Sequence, residues 1–418
     1  MLKSEIYYNS LQKKYSRKIT LGLSRIKKAL FLLGNPHLDL KRPCNILGSD
    51  GKFSCLTSLK YFIEASGRST TTFISPHLYD LRSRIWLKNR YISLNEIKKY
   101  EKKISKLKIK LSLFEVLTLI YVLAAAKSKS SYNLLESGLL FKKDSSNLFK
   151  KPLFQACTNI NKQHLEWISP KTINEICKQK VGYLSNQTHI YIGKQNPKTL
   201  KIIRGILKKN KSNITYPSNW RIISKKQGLF YKDNKYIINI RSTYIHSKGL
   251  IENLGLAIKV ALDLNIKPSI IEKTIPKIYF EGRLQYINKG KLRNYVHKNE
   301  KILLDGAHSN ASGKNLYNYL KTLKQPIYCI WGMQKNKFPS DFLKNFKGIF
   351  KKVITVKIPN EKNACSAENL KSIAAKQKYN AEKASNYKGA LKKITSNKPK
   401  VICFLGSLYF IGSVLKEN

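Results

Sequence analysis

The sequence has few cysteines, few acidic residues and no long hydrophobic run, and each shortage excludes a class of protein. The seven cysteines include no Cys-x-x-Cys pair, which argues against a zinc ribbon and favours a reducing compartment. The longest apolar run, 113–126, contains Glu115 and is too short to span a bilayer, so it predicts a buried helix. Charges interrupt the N-terminus from Lys3 onward, which excludes a signal peptide. We therefore expect a soluble cytoplasmic protein that does not enter a membrane.

The shortage of acidic residues leaves a formal net charge of +55, from 79 Lys and Arg against 24 Asp and Glu. A charge of this size is compatible with nucleic-acid binding. The lysines, however, are spread along the whole chain without a dense tail or an Arg-rich motif, as an AT-rich coding sequence would produce. We therefore expect weak, salt-sensitive attraction to nucleic acid and no specific nucleic-acid partner.

The chain is long and apolar enough to fold into more than one domain. Its 418 residues are 42% hydrophobic and 11% aromatic, which predicts two or three folded domains and not a disordered chain. Short strands alternate with helices, which favours an α/β fold with a parallel, doubly wound sheet. The predicted strands are 71–74, 132–135, 156–160, 302–304, 326–331, 352–357 and 401–404, with a β-rich stretch at 231–240. The predicted helices are 19–33, 55–65, 94–103, 112–127, 172–180, 250–264 and 312–323.

The stretch 44–54, Cys-Asn-Ile-Leu-Gly-Ser-Asp-Gly-Lys-Phe-Ser, has the order of a phosphate-binding loop. Its apolar residues are predicted to end a buried strand, Gly48 and Gly51 frame a tight loop, and a helical pattern follows. Backbone N–H groups at a helix N-terminus attract an anion, Lys52 neutralises its charge, and the hydroxyl of Ser54 can reach Mg²⁺. Only two residues separate the glycines, fewer than in the Walker A pattern. The loop alone therefore leaves open a glycine-containing turn with an exposed lysine.

Polar residues also follow other predicted strands. In doubly wound sheets ligands bind beyond the carboxyl ends of the strands, and Ser54, Ser75 and Glu136 all fall at such positions. His164 follows another predicted strand, but a single histidine at such a place is by itself expected to be structural.

Several segments, in order along the chain, resemble one family of enzymes. Gly48-Ser-Asp-Gly-Lys-Phe-Ser is similar to the motif G-T-N-G-K-G-S, and Leu135-Glu-Ser-Gly-Leu with Asp144 and Asn147 is similar to L-E-x-G-L-G-G-R-x-D-x-x-N. Further matches are Leu21-Gly-Leu-Ser-Arg-Ile, Leu33-Gly-Asn-Pro, Ser75-Pro-His-Leu, Arg84-Ile, Phe114-Glu-Val-Leu-Thr, Gly282-Arg-Leu-Gln, Asp305-Gly-Ala-His and Gly406-Ser-Leu-Tyr. Nearly the whole chain thus resembles the folylpolyglutamate synthase/dihydrofolate synthase family of Mur-ligase-like amide ligases.

The resemblance implies an α/β protein with two domains. Residues 1–282 would form an N-terminal phosphate-loop, parallel-sheet ATPase domain with its loop at 47–54, and residues 283–418 a smaller C-terminal Rossmann-like α/β domain. The implied activity is an ATP- and Mg²⁺-dependent ligation of L-glutamate to dihydropteroate, to tetrahydrofolate or to both. ATP would phosphorylate a carboxylate of the pterin substrate, and the amine of glutamate would attack the acyl phosphate. We expect a monomer whose partners are dihydropteroate or a reduced folate, and L-glutamate.

The resemblance also assigns roles to individual residues. Those implied to contact ATP are Gly48, Ser49, Asp50, Gly51, Lys52, Ser54, Asn253, Arg283 and Asp305. Those implied to hold Mg²⁺ are Ser54, Ser75, Glu136 and His164. Those implied to act in catalysis are Lys52, Lys180 and His308. Asp144 is implied to line the pterin pocket, although a capping role is equally open.

Lys180 and His308 are the least obvious of these assignments. Lys180 stands where the family has a lysine that can be carbamylated, which would turn a cation into an anionic metal ligand. Without the resemblance, Lys180 would be interpreted as a solvated lysine at the end of a helix. His308 is implied to lie near the phosphates or the incoming glutamate.

The chain also departs from the family pattern. Phe53 replaces a glycine of the phosphate loop, Leu140 and Phe141 replace two glycines, and Gln163 precedes His164 where aspartate is usual. The interval from His164 to Lys180 is also one residue longer than usual. These departures leave open a catalytically weakened homologue that binds folate or nucleotide without turnover, or a relative that ligates a different amino acid to a different acceptor. A basic nucleic-acid-binding protein is the remaining alternative.

Overall fold

The computed structural model describes residues 3–16, 21–241 and 245–418. Its contacts divide the chain into two units: Met1–Ser242 with Leu250–Ile278, and Thr243–Gly249 with Tyr279–Asn418. The boundary predicted from the sequence lies slightly later, after residue 282. Each unit contains a mostly parallel sheet flanked by helices. The predicted fold class, two α/β units, is confirmed.

The first unit is built on an eight-stranded sheet. Its strands are β1 (Pro43–Leu47), β2 (Thr70–Phe73), β3 (Ile85–Leu87), β4 (Arg90–Tyr91), β5 (Tyr132–Glu136), β6 (Phe154–Cys157), β7 (His189–Ile192) and β8 (Asn213–Thr215). They lie in the order β4-β3-β2-β5-β1-β6-β7-β8, with only β3 and β4 antiparallel to their neighbours. The strand order reverses around β1, because β5 lies on one side of it and β6 on the other. Ligands of open α/β sheets bind at such a switch point, beyond the carboxyl ends of the strands.

The helices up to residue 274 include all those predicted in this part of the chain. They are α1 (Lys3–Lys14), α2 (Ser24–Leu32), α3 (Lys52–Ala65), α4 (Leu94–Ser105), α5 (Leu113–Ser128), α6 (Ile173–Val181), α7 (Pro197–Leu207), α8 (Lys248–Asp263) and α9 (Pro268–Thr274). The sequence did not predict α7 and α9. The first two residues of the helix predicted at 19–33 lie outside the described residues. A separate antiparallel sheet is formed by β9 (Trp220–Lys225), β10 (Gly228–Asp233) and β11 (Ile237–Ile240), which confirms the predicted β-rich stretch.

Helix α5 is the buried helix that the longest apolar run predicts. Glu115 does not interrupt it, because its carboxylate accepts a hydrogen bond from the backbone N–H of Ser112 and so closes a capping box at the first turn. The guanidinium of Arg25 lies 3.1 Å from the same carboxylate and supplies its counter-charge. Within the described ranges, no helix is long and apolar enough to cross a membrane.

The second unit is built on a six-stranded sheet in the order β12-β13-β17-β14-β15-β16, in which only β12 is antiparallel to its neighbour. Its strands are β12 (Gln285–Ile287), β13 (Glu300–Asp305), β14 (Ile327–Trp331), β15 (Phe350–Thr355), β16 (Ala381–Lys383) and β17 (Lys400–Leu405). Its helices are α10 (Asn310–Leu320), α11 (Pro339–Lys344), α12 (Ala367–Lys376), α13 (Tyr387–Lys392) and α14 (Leu408–Leu415).

A buried ion pair joins the adjacent strands β13 and β17 at their starts. The ammonium of Lys400 lies 3.4 Å from the carboxylate of Glu300, and both side chains are almost fully buried. Burial alone would raise the pKa of Glu300, but hydrogen bonds from Thr395, Ser396 and the backbone of His297, together with the charge of Lys400, lower it. The carboxylate therefore contributes to stability as an anion.

We expect the Glu300→Gln variant to lose about 3 kcal/mol of stability in the second unit at pH 7, because it leaves the ammonium of Lys400 buried without its counter-charge. The pKa of Glu300 is lower in the folded protein than in the unfolded chain. The difference between wild type and variant should therefore shrink as the pH falls and Glu300 becomes protonated. Hydrogen exchange of the β13 amides, which reports opening of this unit, measures the change.

The matched control for this prediction is Glu368→Gln, which removes an exposed ion pair with Lys383. An exposed pair contributes little, so the control should leave stability nearly unchanged. Equal effects of the two variants would contradict the assigned importance of the buried pair.

Candidate functional site

The loop between β1 and α3 needs glycine at two positions. Gly48 and Gly51 have φ angles of +137° and +89°, a region that other residues rarely adopt. A Cβ atom on Gly48 would lie 2.1 Å from Oγ1 of Thr158, and one on Gly51 would lie 2.3 Å from Nδ2 of Asn253. Gly51 is also the N-cap of α3 and has no side chain to cap its first turn. This is the backbone arrangement of a helix N-terminus that receives an anion.

The ammonium group of Lys52 lies over this loop. It donates hydrogen bonds to the carbonyl oxygens of Gly48, at 3.3 Å, and Ser49, at 3.0 Å. It also lies 4.0 Å from a carboxylate oxygen of Glu136, the last residue of β5. Since the side chain of Lys52 is only 12% exposed, its charge is held close to the loop and does not extend into bulk solvent.

Glu136 and Ser75 meet at the carboxyl ends of neighbouring strands. The second carboxylate oxygen of Glu136 accepts a hydrogen bond of 3.1 Å from the backbone N–H of Ser75, two residues after β2. Glu136 therefore connects the segment after β2 to the ammonium of Lys52. The parallel register that pairs β5 with both β1 and β2 brings these residues together.

Ser54 is the third residue of α3. Its hydroxyl donates to the carbonyl oxygen of Gly51, at 2.9 Å, and accepts from Nδ2 of Asn253, at 3.0 Å. Because a hydroxyl oxygen has two lone pairs, one remains after the bond from Asn253. Asn253 belongs to α8, so a residue far along the chain supports the first turn of α3.

The segment 158–163 after β6 packs against the other side of the loop. Oγ1 of Thr158 donates to the carbonyl oxygen of Asp50, at 2.7 Å, and Asp50 forms a β-bridge with Asn159. The backbone N–H of Ser49 donates to the carbonyl oxygen of Asn159, at 2.7 Å. The sequence analysis did not assign Thr158 or Asn159 to the site. Their position directly after a strand that neighbours β1 is the signal that could have identified them.

Lys180 is not the solvated lysine that its helix-end position suggests. It is 1% exposed, and its amine donates to the carbonyl oxygens of Gly48, at 2.9 Å, and Leu139, at 2.5 Å. Burial, together with the neighbouring charge of Lys52, lowers the pKa of Lys180 to about 7. Lys180 thus fastens the phosphate loop to the segment that follows β5.

Asp144 organises that same segment. One carboxylate oxygen accepts from the backbone N–H of Leu139, at 2.8 Å, and the other accepts from the backbone N–H and the hydroxyl of Ser146. Both oxygens are therefore engaged within the loop, although Asp144 follows the short helical turn 141–143 and does not cap the start of a helix. Its assignment to a pterin pocket stays a prediction.

The two residues that replace glycines in this segment are core residues. Leu140 and Phe141 are fully buried in a cluster that includes Leu47, Cys157 and Ile176. Their side chains therefore fill the apolar space beneath the site. Phe53 is half-buried on the first turn of α3, where its backbone is helical and does not require glycine.

In the second unit, Asp305 holds the turn at the end of β13. Its two carboxylate oxygens accept from the backbone N–H groups of Leu284, at 2.9 Å, and Ala307, at 2.7 Å. Burial raises the pKa of Asp305, and the charge of Arg283 and these two amides oppose the rise. A Cβ atom on Gly306 would lie 2.7 Å from the guanidinium of Arg283, so the glycine allows that side chain to lie against the turn.

His308 lies next to this turn. Its Nδ1 lies 2.7 Å from the carbonyl oxygen of Gly306. A carbonyl can only accept, so Nδ1 carries the proton, and Nε2 of the neutral ring is an acceptor.

The structure thus brings Lys52, Ser54, Ser75 and Glu136 together around one loop. It assigns Asp305, Arg283 and His308 to a turn of the second unit. His164 has a left-handed backbone with φ of +62° at the end of the segment after β6. In the part of the chain that the structure describes, no three His, Cys, Asp or Glu residues are grouped so as to hold a metal by themselves.

The nearby oxygen atoms of Ser54 and Glu136 are the kind of ligand that Mg²⁺ prefers. This ion is usually held by one or two carboxylates together with substrate phosphates. The residues present therefore fit a Mg²⁺ ion that is bound jointly with a nucleotide.

Comparison with known proteins identifies relatives along the whole chain. Residues 288–417 match the family model described as the C-terminal domain of dihydrofolate synthetase. The chain is 24% identical over 428 aligned residues to a dihydrofolate synthase/folylpolyglutamate synthase of Bacillus subtilis, covering 95% of this chain and 94% of that protein. It is 23% identical over 425 residues to a dihydrofolate synthetase of Saccharomyces cerevisiae, covering 95% and 98% of the two chains.

The fold is also similar to solved structures. A folylpolyglutamate synthase of Mycobacterium tuberculosis complexed with ADP has a TM-score of 0.86 and 19% identity, and the match covers 99% of this chain and 97% of that one. A bifunctional folylpolyglutamate synthase/dihydrofolate synthase of Yersinia pestis, complexed with AMPPNP and a Mn ion, has a TM-score of 0.85 and 19% identity over 99% and 97%. The structures show a common fold, and the sequence relatives extend over nearly the full chain. The chain is thus similar over nearly its whole length to dihydrofolate synthases and folylpolyglutamate synthases, and residues 288–417 match the family's C-terminal domain model.

Proposed function

We propose that the protein is an ATP- and Mg²⁺-dependent ligase that adds L-glutamate to dihydropteroate, to a reduced folate or to both. The observation that carries the proposal is the loop between β1 and α3, with the ammonium of Lys52 held 4.0 Å from Glu136 at the switch point of the sheet. The family relationship specifies the substrates that such a phosphate site would serve. The match of residues 288–417 to a dihydrofolate synthetase domain makes dihydropteroate the first acceptor to test.

In this function the phosphate loop binds and orients the phosphates of ATP. The first-turn amides of α3 face an anion, and Lys52 neutralises charge as the terminal phosphoryl group moves to the carboxylate of the acceptor. The reaction brings two anions together, so a fixed cation at this position lowers the repulsion between them. The resulting acyl phosphate is attacked by the amine of glutamate, which gives an amide, ADP and phosphate.

Ser54, Ser75, Glu136 and His164 are the residues that would hold Mg²⁺. When bound, the ion would act as a Lewis acid that stabilises the negative charge developing on the transferred phosphoryl group. Glu136 is already oriented by the backbone N–H of Ser75, and Ser54 by Asn253. Two of the oxygen ligands are thus fixed by hydrogen bonds before the nucleotide binds, which reduces the ordering that binding requires.

Lys180 supports the phosphate loop from below. Its pKa of about 7 means that a neutral amine is available near physiological pH. The neutral amine is the form that reacts with carbon dioxide, so the predicted carbamylation is chemically accessible. It would require the amine to leave the carbonyl oxygens of Gly48 and Leu139. The roles of Asp144, Arg283, Asp305 and His308 toward the substrates stay predictions from the resemblance.

We expect phosphate release from ATP by the purified protein to depend on Mg²⁺, L-glutamate and either dihydropteroate or tetrahydrofolate. The Lys52→Ala variant should lower this release by about 100-fold or more, because it removes the cation that faces the transferred phosphoryl group. The matched control is Lys27→Ala, since Lys27 is exposed on α2. No substrate-dependent release by the folded wild type would contradict the ligase and favour a homologue that binds without turnover.

The Glu136→Gln variant should need at least about tenfold more Mg²⁺ for half-maximal phosphate release, a loss that even an outer-shell partner of a metal produces. Glutamine can still accept from the backbone N–H of Ser75, so the change removes the charge and keeps the shape. A Mg²⁺ titration of wild type, Glu136→Gln and the exposed control Glu368→Gln measures the effect. An unchanged Mg²⁺ requirement would remove Glu136 from the metal site.

The stability of the wild type relative to a Lys180→Met variant should increase between about pH 8 and pH 10, by up to about 1.4 kcal/mol per pH unit. The folded pKa of Lys180, about 7, lies below the unfolded value. In this pH window the unfolded chain binds a proton at Lys180 that the folded protein does not bind. The free energy that the unfolded chain gains from this proton falls as the pH rises, so the folded protein becomes relatively more stable. Urea unfolding in buffer free of carbon dioxide measures the difference. Lys178→Met, an exposed lysine of the same helix, should show no such slope, and equal slopes for the two variants would contradict the buried amine.

The net charge of +55 keeps nucleic-acid binding as a second candidate, and salt separates the two. Binding of a random duplex that disappears near roughly 0.2 M salt would be the non-specific attraction expected of any strongly basic surface. Binding that persists at that salt would favour a nucleic-acid partner.

A further inference from the structure

The Asp50 carboxylate, in the middle of the phosphate loop, turns toward the segment 158–164 that follows β6. One carboxylate oxygen accepts a hydrogen bond from Nδ2 of Asn161, at 2.6 Å. The other accepts from Nε2 of Gln163, at 3.0 Å. Each oxygen thus receives an amide donor from the same short segment, and bonds of this kind to an ionised acceptor are stronger than bonds between neutral groups.

Contacts of the neighbouring residues join the same two segments. The hydroxyl of Ser49 exchanges hydrogen bonds with the backbone of Asn161, donating to its carbonyl oxygen and accepting from its N–H at 3.1 Å. Thr158 donates to the carbonyl oxygen of Asp50. The carboxylate is therefore the charged part of a continuous contact between the phosphate loop and the segment that ends at His164.

Position 50 is also an unfavourable place for an anion that would touch phosphate. A carboxylate and a phosphate at contact distance repel each other, and the repulsion is greatest where water is excluded. The motif that the loop resembles has asparagine at this position, whereas this chain has aspartate. An extra negative charge in a phosphate loop needs a function other than binding the nucleotide.

A second difference from the family pattern compensates for the first. Gln163 stands where the pattern has aspartate. The pattern therefore has a carboxamide at position 50 and a carboxylate at position 163. This chain has the reverse, a carboxylate at position 50 and a carboxamide at position 163. The two side chains meet in the structure at 3.0 Å. Two carboxylates at that distance would repel, and two carboxamides would lose the charge-assisted bond. The exchange keeps one carboxylate and one carboxamide.

We propose that Asp50 is a positioning residue that holds the segment 158–164 against the phosphate loop, with the carboxylate of this pair moved from position 163 to position 50. Asp50 therefore acts through Gln163 and Asn161 to fix the backbone that carries His164. In this proposal Asp50 positions the segment 158–164 and does not contact the nucleotide, unlike the role that the resemblance implies for it. The consequence for catalysis rests on the proposed function.

Four proteins that differ in the carboxylate and carboxamide groups at these two positions test the proposal: wild type, Asp50→Asn, Gln163→Glu and the double variant. Asp50→Asn removes the charge, and Gln163→Glu creates facing carboxylates. Each should lower kcat for substrate-dependent phosphate release by about tenfold or more.

The double variant should rescue the activity. The carboxamide introduced at position 50 keeps one oxygen for the amide of Asn161 and presents its own NH₂ to the carboxylate introduced at position 163. Its kcat should return to within about threefold of wild type, a rescue that independent structural damage would not produce.

Hydrogen exchange of the backbone amides of residues 158–164, in the protein without ligands, is the second measurement. Exchange should accelerate by about tenfold in each single variant and return toward the wild-type rate in the double variant. The control is Asp341→Asn, an exposed aspartate paired with Lys344 on α11, which should leave both measurements unchanged.

The two measurements separate failure of this proposal from failure of the proposed function. If the wild type has no ligase activity, the proposed function fails, and hydrogen exchange alone decides the role of Asp50. A double variant that is as impaired as the two single effects combined would overturn the proposal. So would single variants that match wild type in the exchange of residues 158–164.

Discussion

Two lysine side chains donate hydrogen bonds to the same carbonyl oxygen, that of Gly48, and the rest of the site depends on this contact. Lys52 approaches it from the first turn of α3, and Lys180 from the buried end of α6. Two full positive charges so close together in a buried place would repel each other. Burial and the charge of Lys52 lower the pKa of Lys180 to about 7, so loss of a proton from the inner amine, which relieves the repulsion, is accessible near that pH. Lys52, at the first turn of α3, is then the proposed partner of an incoming phosphate.

The departures from the family pattern take on a different meaning once their positions are known. Leu140 and Phe141 enlarge the apolar core beneath the loop, and Phe53 occupies a helical position whose backbone does not need glycine. Asp50 and Gln163 form a direct hydrogen-bonded pair. None of these changes removes Lys52, Ser54, Ser75 or Glu136, which lie around one loop at the switch point of the sheet. The departures alter what supports the loop and leave these four residues in place.

Sequence patterns predicted the central strands, the buried helix α5 and the polar residues at strand ends, because apolar runs and glycine turns are local signals. They did not predict the short strands β3, β4, β7, β8, β12 and β16, which have too few residues to show a period. The strand predicted at 156–160 is formed by Phe154–Cys157, and Thr158 turns toward the loop because its hydroxyl bonds to Leu47 and Asp50.

The burial of Lys180 could not be read from the sequence, because it depends on which segments pack over the end of α6. The hydrogen-bond partners of Asp144 and Asp305 could not be read from the sequence either. Each lies near a predicted site, yet its carboxylate is engaged by backbone amides of its own turn. Residue type and spacing indicated that an anion stands at these places. They could not indicate whether its oxygen atoms face a ligand or the protein's own backbone.

The most direct test of the account is the fate of the carboxylate oxygen of the acceptor. Dihydropteroate, or tetrahydrofolate if that is the acceptor used, would be labelled with ¹⁸O in the reacting carboxylate and turned over with ATP, Mg²⁺ and L-glutamate. An acyl phosphate transfers one of those oxygen atoms to phosphate when the amine of glutamate displaces it. The account predicts that each phosphate released by the wild type carries one ¹⁸O atom. Unlabelled phosphate, released together with the amide product, would contradict phosphoryl transfer to the acceptor at this loop.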